Sequence, residues 1–159
     1  MVTTNAMRLL TQAGIPFTPL SYAYDESDLS GVHAAQALGL DPDEVFKTLV
    51  LRGERTGLFV CCIPVAAALD LKKAAKLRGD KGAQMLHMRE LLPATGYIRG
   101  GCSPLAAKKA YPVLIDQSAA AHERIYVSAG LRGVQIQLGP NDLLRATQGA
   151  YAPLTRPAD

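Results

Sequence analysis

The chain has 159 residues, of which 48% are apolar and 19% charged, with a net charge of +3. This excludes intrinsic disorder and leaves one domain with a real core as the natural organisation. The longest uncharged apolar run, Leu58 to Leu69, is interrupted by Pro64 and falls short of the ~20 residues of a membrane span, and Met1 to Thr11 lacks the order of a signal peptide, so a soluble cytoplasmic protein is expected.

The first predicted element is a helix capped by Thr4, with Ala6, Leu9, Leu10 and Ala13 on one side. Gly14 and Pro16 end it. Residues 17–24 read as a strand. Ser30 caps a short second helix over Val32 to Leu38, ended by Gly39. Asp41-Pro42-Asp43-Glu44 reads as a helix start, with proline near the first turn. A β-hairpin follows: Val45 to Arg52, a turn over residues 53–57, then the apolar run Leu58 to Ile63, expected to be covered on both faces. Asp70 caps a helix over Leu71 to Arg78, with Lys72, Lys73 and Lys76 away from its apolar side.

Ala83 to Met85 suggests a short strand, and Met88 to Leu92 a short helix stopped by Pro93. Strands are predicted at Val113 to Ile115 and Ile125 to Val127. In Val134 to Leu138 the alternation with Gln135 and Gln137 predicts a half-exposed strand. Pro140-Asn141-Asp142 opens a last helix, and residues 151–159 read as a frayed tail. Strands and helices alternate without a regular βαβ rhythm, which predicts a single mixed α/β domain over residues 1–159.

Three cysteines, Cys61, Cys62 and Cys102, do not make a disulfide framework, and neither they nor His33, His87 and His122 have zinc spacing. No metal or other cofactor is expected. Charge is uneven: residues 1–46 hold one base and six acids, residues 47–159 sixteen bases and eight acids. The densest basic stretch, Lys72 to Lys81, is either a solvated helix face or a contact for phosphates.

Two features stand out as candidate chemistry. Lys47 shares a strand face with Val45, Leu49 and Leu51, where a lysine must snorkel, guard a strand edge or sit at a pocket mouth. Two glycine-rich bends, Arg99-Gly100-Gly101-Cys102-Ser103-Pro104 and Ser128-Ala129-Gly130-Leu131-Arg132-Gly133, are either ordinary loops or places where backbone N–H groups meet a ligand. Neither is a Walker loop, and no nucleophile elbow is present.

Taken together, Phe46-Lys47-Thr48-Leu49, the run Leu71 to Lys76, Gly96-Tyr97-Ile98-Arg99-Gly100-Gly101-Cys102-Ser103-Pro104-Leu105 and Tyr126 to Gly133 resemble the YbaK/EbsC family. These are free-standing relatives of the prolyl-tRNA synthetase editing domain, and the likeness is strongest to the Cys-tRNA(Pro) deacylase branch. The resemblance implies a mixed, barrel-like β-sheet surrounded by short helices. It also implies a trans-editing enzyme that removes cysteine from Cys-tRNA(Pro), and possibly from Cys-tRNA(Cys), with the substrate's own thiol attacking the ester. Small side chains differ by only ~1–3 kcal/mol in a binding site, which is why a second sieve is needed.

By resemblance, Lys47, Gly101 and Ser128 are catalytic, with free N–H groups at Gly101 and around Ser128 stabilising an oxyanion. Tyr22, Gly100, Gly130 and Arg132 are substrate-binding, and Lys72, Lys73 and Lys76 are candidates for contact with tRNA. The implied partners are the acceptor end of an aminoacyl-tRNA and prolyl-tRNA synthetase, with no DNA and no membrane. Two alternatives stay open: a deacylase for another small amino acid, such as Ala-tRNA(Pro), and a non-catalytic tRNA-binding module. Ala129-Gly130-Leu131 stands where the family often has Gly-Gly-Lys, and Cys102 where an aliphatic residue is usual.

Overall fold

The computed structural model describes residues 2–157. Five helices, ten strands and a 3₁₀ turn are present among them. Helix α1 (Asn5–Gln12) starts where the Met7 N–H donates to Thr4 Oγ1 at 3.2 Å. Strand β1 (Thr18–Ser21) leads to α2 (Gly31–Leu38), capped by Ser30 and ended by Gly39 in the left-handed region. Strands β2 (Phe46–Gly53) and β3 (Gly57–Pro64) form the hairpin. Asp80 fastens its turn, accepting from the Arg55 and Thr56 N–H groups and the Thr56 hydroxyl, and these bonds, the hydroxyl's foremost, hold its carboxyl below the usual range.

Strand β4 (Ala68–Leu69) precedes α3 (Leu71–Leu77), whose N-cap Asp70 accepts from the Lys73 N–H. Then come β5 (Ala83–Met85), α4 (Met88–Thr95), β6 (Val113–Asp116), the 3₁₀ turn Gln117–Ala121, β7 (Ile125–Ser128), β8 (Val134–Leu138), α5 (Pro140–Thr147), β9 (Ala150–Ala152) and β10 (Thr155–Arg156).

The strands form a five-stranded sheet ordered β5-β2-β3-β6-β9, a three-stranded sheet ordered β1-β8-β7, and the pair β10-β4. They do not close into a barrel. The two larger sheets meet at one parallel bridge, Val45 to Tyr126, instead of a continuous ladder. The main core fills the space between them, from Phe46, Val50, Val60, Cys62 and Ile115 to Ile125, Val127, Ile136 and Leu138, with α1 and α5 closing its edges. A second cluster lies on the other side of the five-stranded sheet, where Leu51, Phe59, Cys61 and Ile63 meet Ala74 of α3 and Leu154. The continuous apolar run of β3 is thus covered on both faces, as expected.

Four local expectations change. Asp41-Pro42-Asp43-Glu44 forms a turn, not a helix start: the Asp43 N–H donates to Asp41 Oδ1 at 2.9 Å and the Glu44 N–H to the Asp41 carbonyl. The same short carboxylate that would cap a helix here closes an Asx turn before β2. Pro93 lies inside α4 and does not end it; Gly96 does, in the left-handed region. The tail is not frayed from Tyr151: β9 and β10 pair with β6 and β4, Leu154 is fully buried, and its N–H donates to the buried Asp116 carboxylate. Only Ala158 and Asp159 of that tail lie outside the described residues. Finally, Gln135 of β8 is buried, and its face of the strand is covered.

Candidate active site

Strand register builds the floor of a cavity. The parallel bridge Val45–Tyr126 places two side chains on one face. Two residues further along each strand, Lys47 and Ser128 lie on that same face, and both line the cavity. Ser128 pairs with Gln135 across β7 and β8, and Gln135 pairs with Leu20 across β8 and β1. Tyr22 continues that face beyond the end of β1, its N–H donating to the Gly133 carbonyl at 2.9 Å. Helix α2 covers the near end of this face through Ala35, against Val45, Tyr126 and Leu20.

Between this floor, α2, the loop around Gly100 and the start of α4 lies a cavity of about 360 Å³. Lys47, Ser128, Tyr22 and Gly100 all line it, from four segments far apart in sequence. Ser128 and Gln135 are only 9% and 6% exposed. Met85, Leu86, Met88 and Leu91 give it an apolar side, and Arg99 and Cys102 also reach its wall.

The two glycine bends pack against each other, and this reassigns three expected residues. Gly101 does not line the cavity: a Cβ there would lie 3.1 Å from the Arg132 nitrogen and 3.2 Å from the Leu131 carbonyl carbon. Its N–H donates to the Ile98 carbonyl at 3.0 Å, so it is not a free oxyanion donor. The Ala129 and Gly130 N–H groups are also engaged, by the Val134 carbonyl and Ser128 Oγ. The Gly100 N–H, at the cavity wall, has no acceptor among the described residues. Gly130 faces the Tyr97 ring, which a Cβ would meet at 2.7 Å, and it too is off the lining. Arg132 is off the lining as well, because its Nε donates to the Arg99 carbonyl at 2.8 Å and ties one bend to the other.

Electrostatically the cavity is cationic. Its ionisable lining residues are Lys47, Arg99, Tyr22 and Cys102, with no carboxylate or imidazole. Lys47 stands between the apolar neighbours Val45 on one side and Leu49 and Leu51 on the other, and no anion or acceptor among the described residues meets its ammonium. Burial therefore depresses its pKa below the ordinary 10.5. Burial pushes the Cys102 thiol up to about 12, so it is almost wholly protonated at neutral pH. Cys61, in the second core cluster, is likewise pushed to about 12.

Lys72, Lys73 and Lys76 are exposed on α3 and lie outside the cavity. Helix α3 packs through Ala74 on the sheet face that carries Leu49 and Leu51, and Lys47 shares that face of β2. Lys73 Nζ donates to the Thr155 carbonyl at 3.3 Å. Among the described residues no three of His, Cys, Asp and Glu gather into a metal-binding group, and no helix is long and apolar enough to cross a membrane.

Residues 29–146 match the family model of the aminoacyl-tRNA editing domain. The chain belongs to this family. Its relatives include an Enterococcus faecalis protein named "Putative Cys-tRNA(Pro)/Cys-tRNA(Cys) deacylase EbsC", 45% identical over 152 residues, covering 96% of this chain and 93% of that one. A Bacillus subtilis protein, "Uncharacterized protein YwhH", is 28% identical over 120 residues, covering 76% of each chain. Among solved structures, one described as "a putative trans-editing enzyme for prolyl tRNA synthetase" superposes with a TM-score of 0.81 at 24% identity, covering 96% of this chain and 93% of that one. The editing-domain fold and the YbaK/EbsC membership expected from the four sequence segments are those found.

Sequence reasoning missed Thr48, Gln135 and Arg99 as cavity residues. The signal available for Gln135 was its pairing register: a polar residue at i+7 from Ser128 across a tight bend lands directly opposite it. Alternation alone assigns such a residue to solvent.

Proposed function

We propose that this editing-family protein is a trans-acting deacylase that removes cysteine from Cys-tRNA(Pro). The observation that carries the reading is the cavity's composition. It offers cations and hydrogen-bonding groups but no base, and its one thiol is held protonated. Such a site suits a substrate that brings its own nucleophile.

In this reading the substrate's sulfur attacks the ester carbonyl carbon. The carbon–sulfur bond forms as the bond to the ribose oxygen breaks, and the thiol proton ends on that oxygen. The tRNA leaves with a free hydroxyl, and water opens the transient cysteine thiolactone. Thiols are strong nucleophiles even when mostly protonated, and an oriented intramolecular attack is worth ~7–11 kcal/mol. The protein's work is then to hold the ester. Lys47 supplies a positive charge to the carbonyl oxygen or to the terminal phosphate as charge develops. Ser128 donates from the floor that carries Lys47, and the free Gly100 N–H donates from the wall. Tyr22 bounds the floor.

The exposed lysines of α3 extend the positive surface beyond the cavity and suit the acceptor-stem phosphates. A complex with prolyl-tRNA synthetase would deliver the mischarged tRNA before it reaches the ribosome. The test is deacylation of Cys-tRNA(Pro), Cys-tRNA(Cys) and Ala-tRNA(Pro) by purified protein. Rapid loss of cysteine with alanine retained supports the reading. Cleavage of alanine at a similar rate makes it a small-amino-acid deacylase, and binding without turnover makes it an accessory module.

A further inference from the structure

The cavity wall holds two buried oxygens without a hydrogen-bond partner among the described residues, Thr48 Oγ1 and Gln135 Oε1. Native structures leave few buried polar groups unpaired, and those that remain ask for a ligand or water to complete them. Thr48 lies opposite Cys62, whose sulfur can accept weakly from the Thr48 hydroxyl. Gln135 has no such neighbour. The residue is 6% exposed, shares its face with Ser128 and lines the same cavity.

The chemistry of an aminoacyl ester decides what it would meet there. Besides the ester and the side chain, every aminoacyl-tRNA carries an α-ammonium. That group is repelled by Lys47 and Arg99 and finds no carboxylate in the lining. It must be received by a neutral acceptor on the part of the floor away from Lys47. In the row Lys47, Ser128, Gln135, the glutamine is one strand further from the lysine than the serine is.

We propose that the Gln135 amide accepts a hydrogen bond from the substrate's α-ammonium, so that the site recognises an α-amino acyl group as such. This rests on the aminoacyl-ester reading of the cavity but not on which amino acid is removed. The row then works as a ruler: cation at the carbonyl or phosphate end, hydroxyl at the ester, neutral acceptor at the amino end. It orients the acyl group with its side chain toward the apolar wall of Met85, Leu86 and Leu91.

The test compares two stable analogues on 3′-amino-3′-deoxyadenosine, one carrying cysteine in amide linkage and one carrying 3-mercaptopropionate, which keeps the thiol and lacks the α-amine. Affinities are measured calorimetrically for the intact protein and for Gln135→Leu and Gln135→Glu. A hydrogen bond to a charged donor predicts that the unaltered protein prefers the cysteine analogue by about tenfold to a hundredfold. Gln135→Leu should bring that ratio close to one, and Gln135→Glu should keep or raise it. If Gln135→Leu fails to fold, the Glu variant decides, since a ratio falling to one despite the retained acceptor overturns the proposal.

An unchanged ratio in a folded Gln135→Leu also overturns it. Because the readout is affinity, a protein that binds both analogues but never cleaves Cys-tRNA(Pro) would sink the deacylase reading and leave Gln135 to be judged on its ratio. Failure of both analogues to bind at millimolar concentration would sink both.

Discussion

Replacing Lys47 by methionine should lower activity and raise stability together. Methionine keeps most of the length and an apolar stem on the face shared with Val45 and Leu49, and removes the ammonium. In the native protein that charge is partly buried, between apolar clusters, and unpaired among the described residues, so its charged form is disfavoured relative to the unfolded chain. The folded pKa lies below the unfolded one. The penalty is therefore complete below the folded value, shrinks as pH rises from there toward 10.5, and vanishes above. Each pKa unit corresponds to about 1.4 kcal/mol. For a domain of this size each kcal/mol recovered raises Tm by about 2–4 °C.

Calorimetric scans at pH 7 and near pH 10.5 should show the variant melting higher at the first and level with the parent at the second. Deacylation of Cys-tRNA(Pro) should fall by ~10²–10³, the loss typical of one stabilising group at a developing oxyanion. A variant that melts lower at pH 7 would refute the unpaired-cation argument. Turnover near that of the parent would refute the catalytic one.

Cys102→Ala should keep turnover within about threefold, because a thiol pushed to about 12 supplies almost no thiolate at pH 7; a tenfold loss would point to an enzyme nucleophile. Gly101→Ala should destabilise by ~1–3 kcal/mol in denaturant titration, since its Cβ would press on the backbone at Leu131 and Arg132; unchanged stability would mean the bends separate freely. Changing Lys72, Lys73 and Lys76 together to glutamine should weaken tRNA binding and reduce the slope of log affinity against log salt by up to about 2–3, and an unaltered slope would leave α3 as a solvated face.

What the sequence made legible was local chemistry. Thr4, Ser30 and Asp70 cap the expected helices because the bond each makes reaches only three residues. Local chemistry also misleads when one bond serves two structures, as at Asp41, where an Asx turn precedes a strand. Pro93 forfeits only the bond to the Arg89 carbonyl, and α4 is exposed enough there for water to replace it. Leu154 looked like tail because its burial depends on β10 meeting β4, nearly ninety residues away in sequence. Lys47 and Ser128 were legible as oddities, and the resemblance paired them, but only the bridge at Val45 and Tyr126 gives the reason they line one cavity. Gln135 escaped because a period of two separates the faces of a strand without saying which face meets solvent. Gly101 was expected from the resemblance to offer a free N–H, and the structure spends that N–H on the Ile98 carbonyl.

The central claim is that the substrate performs the attack. Single-turnover deacylation of tRNA(Pro) charged with cysteine, against the same tRNA charged with 2-aminobutyrate, tests it most directly, because the two acyl groups are close in size and differ in the thiol. The account predicts that the cysteinyl ester is cleaved at least about a hundredfold faster, a floor well inside the ~7–11 kcal/mol that an oriented intramolecular attack can contribute. Equal rates would contradict it, since water would then be the nucleophile for both.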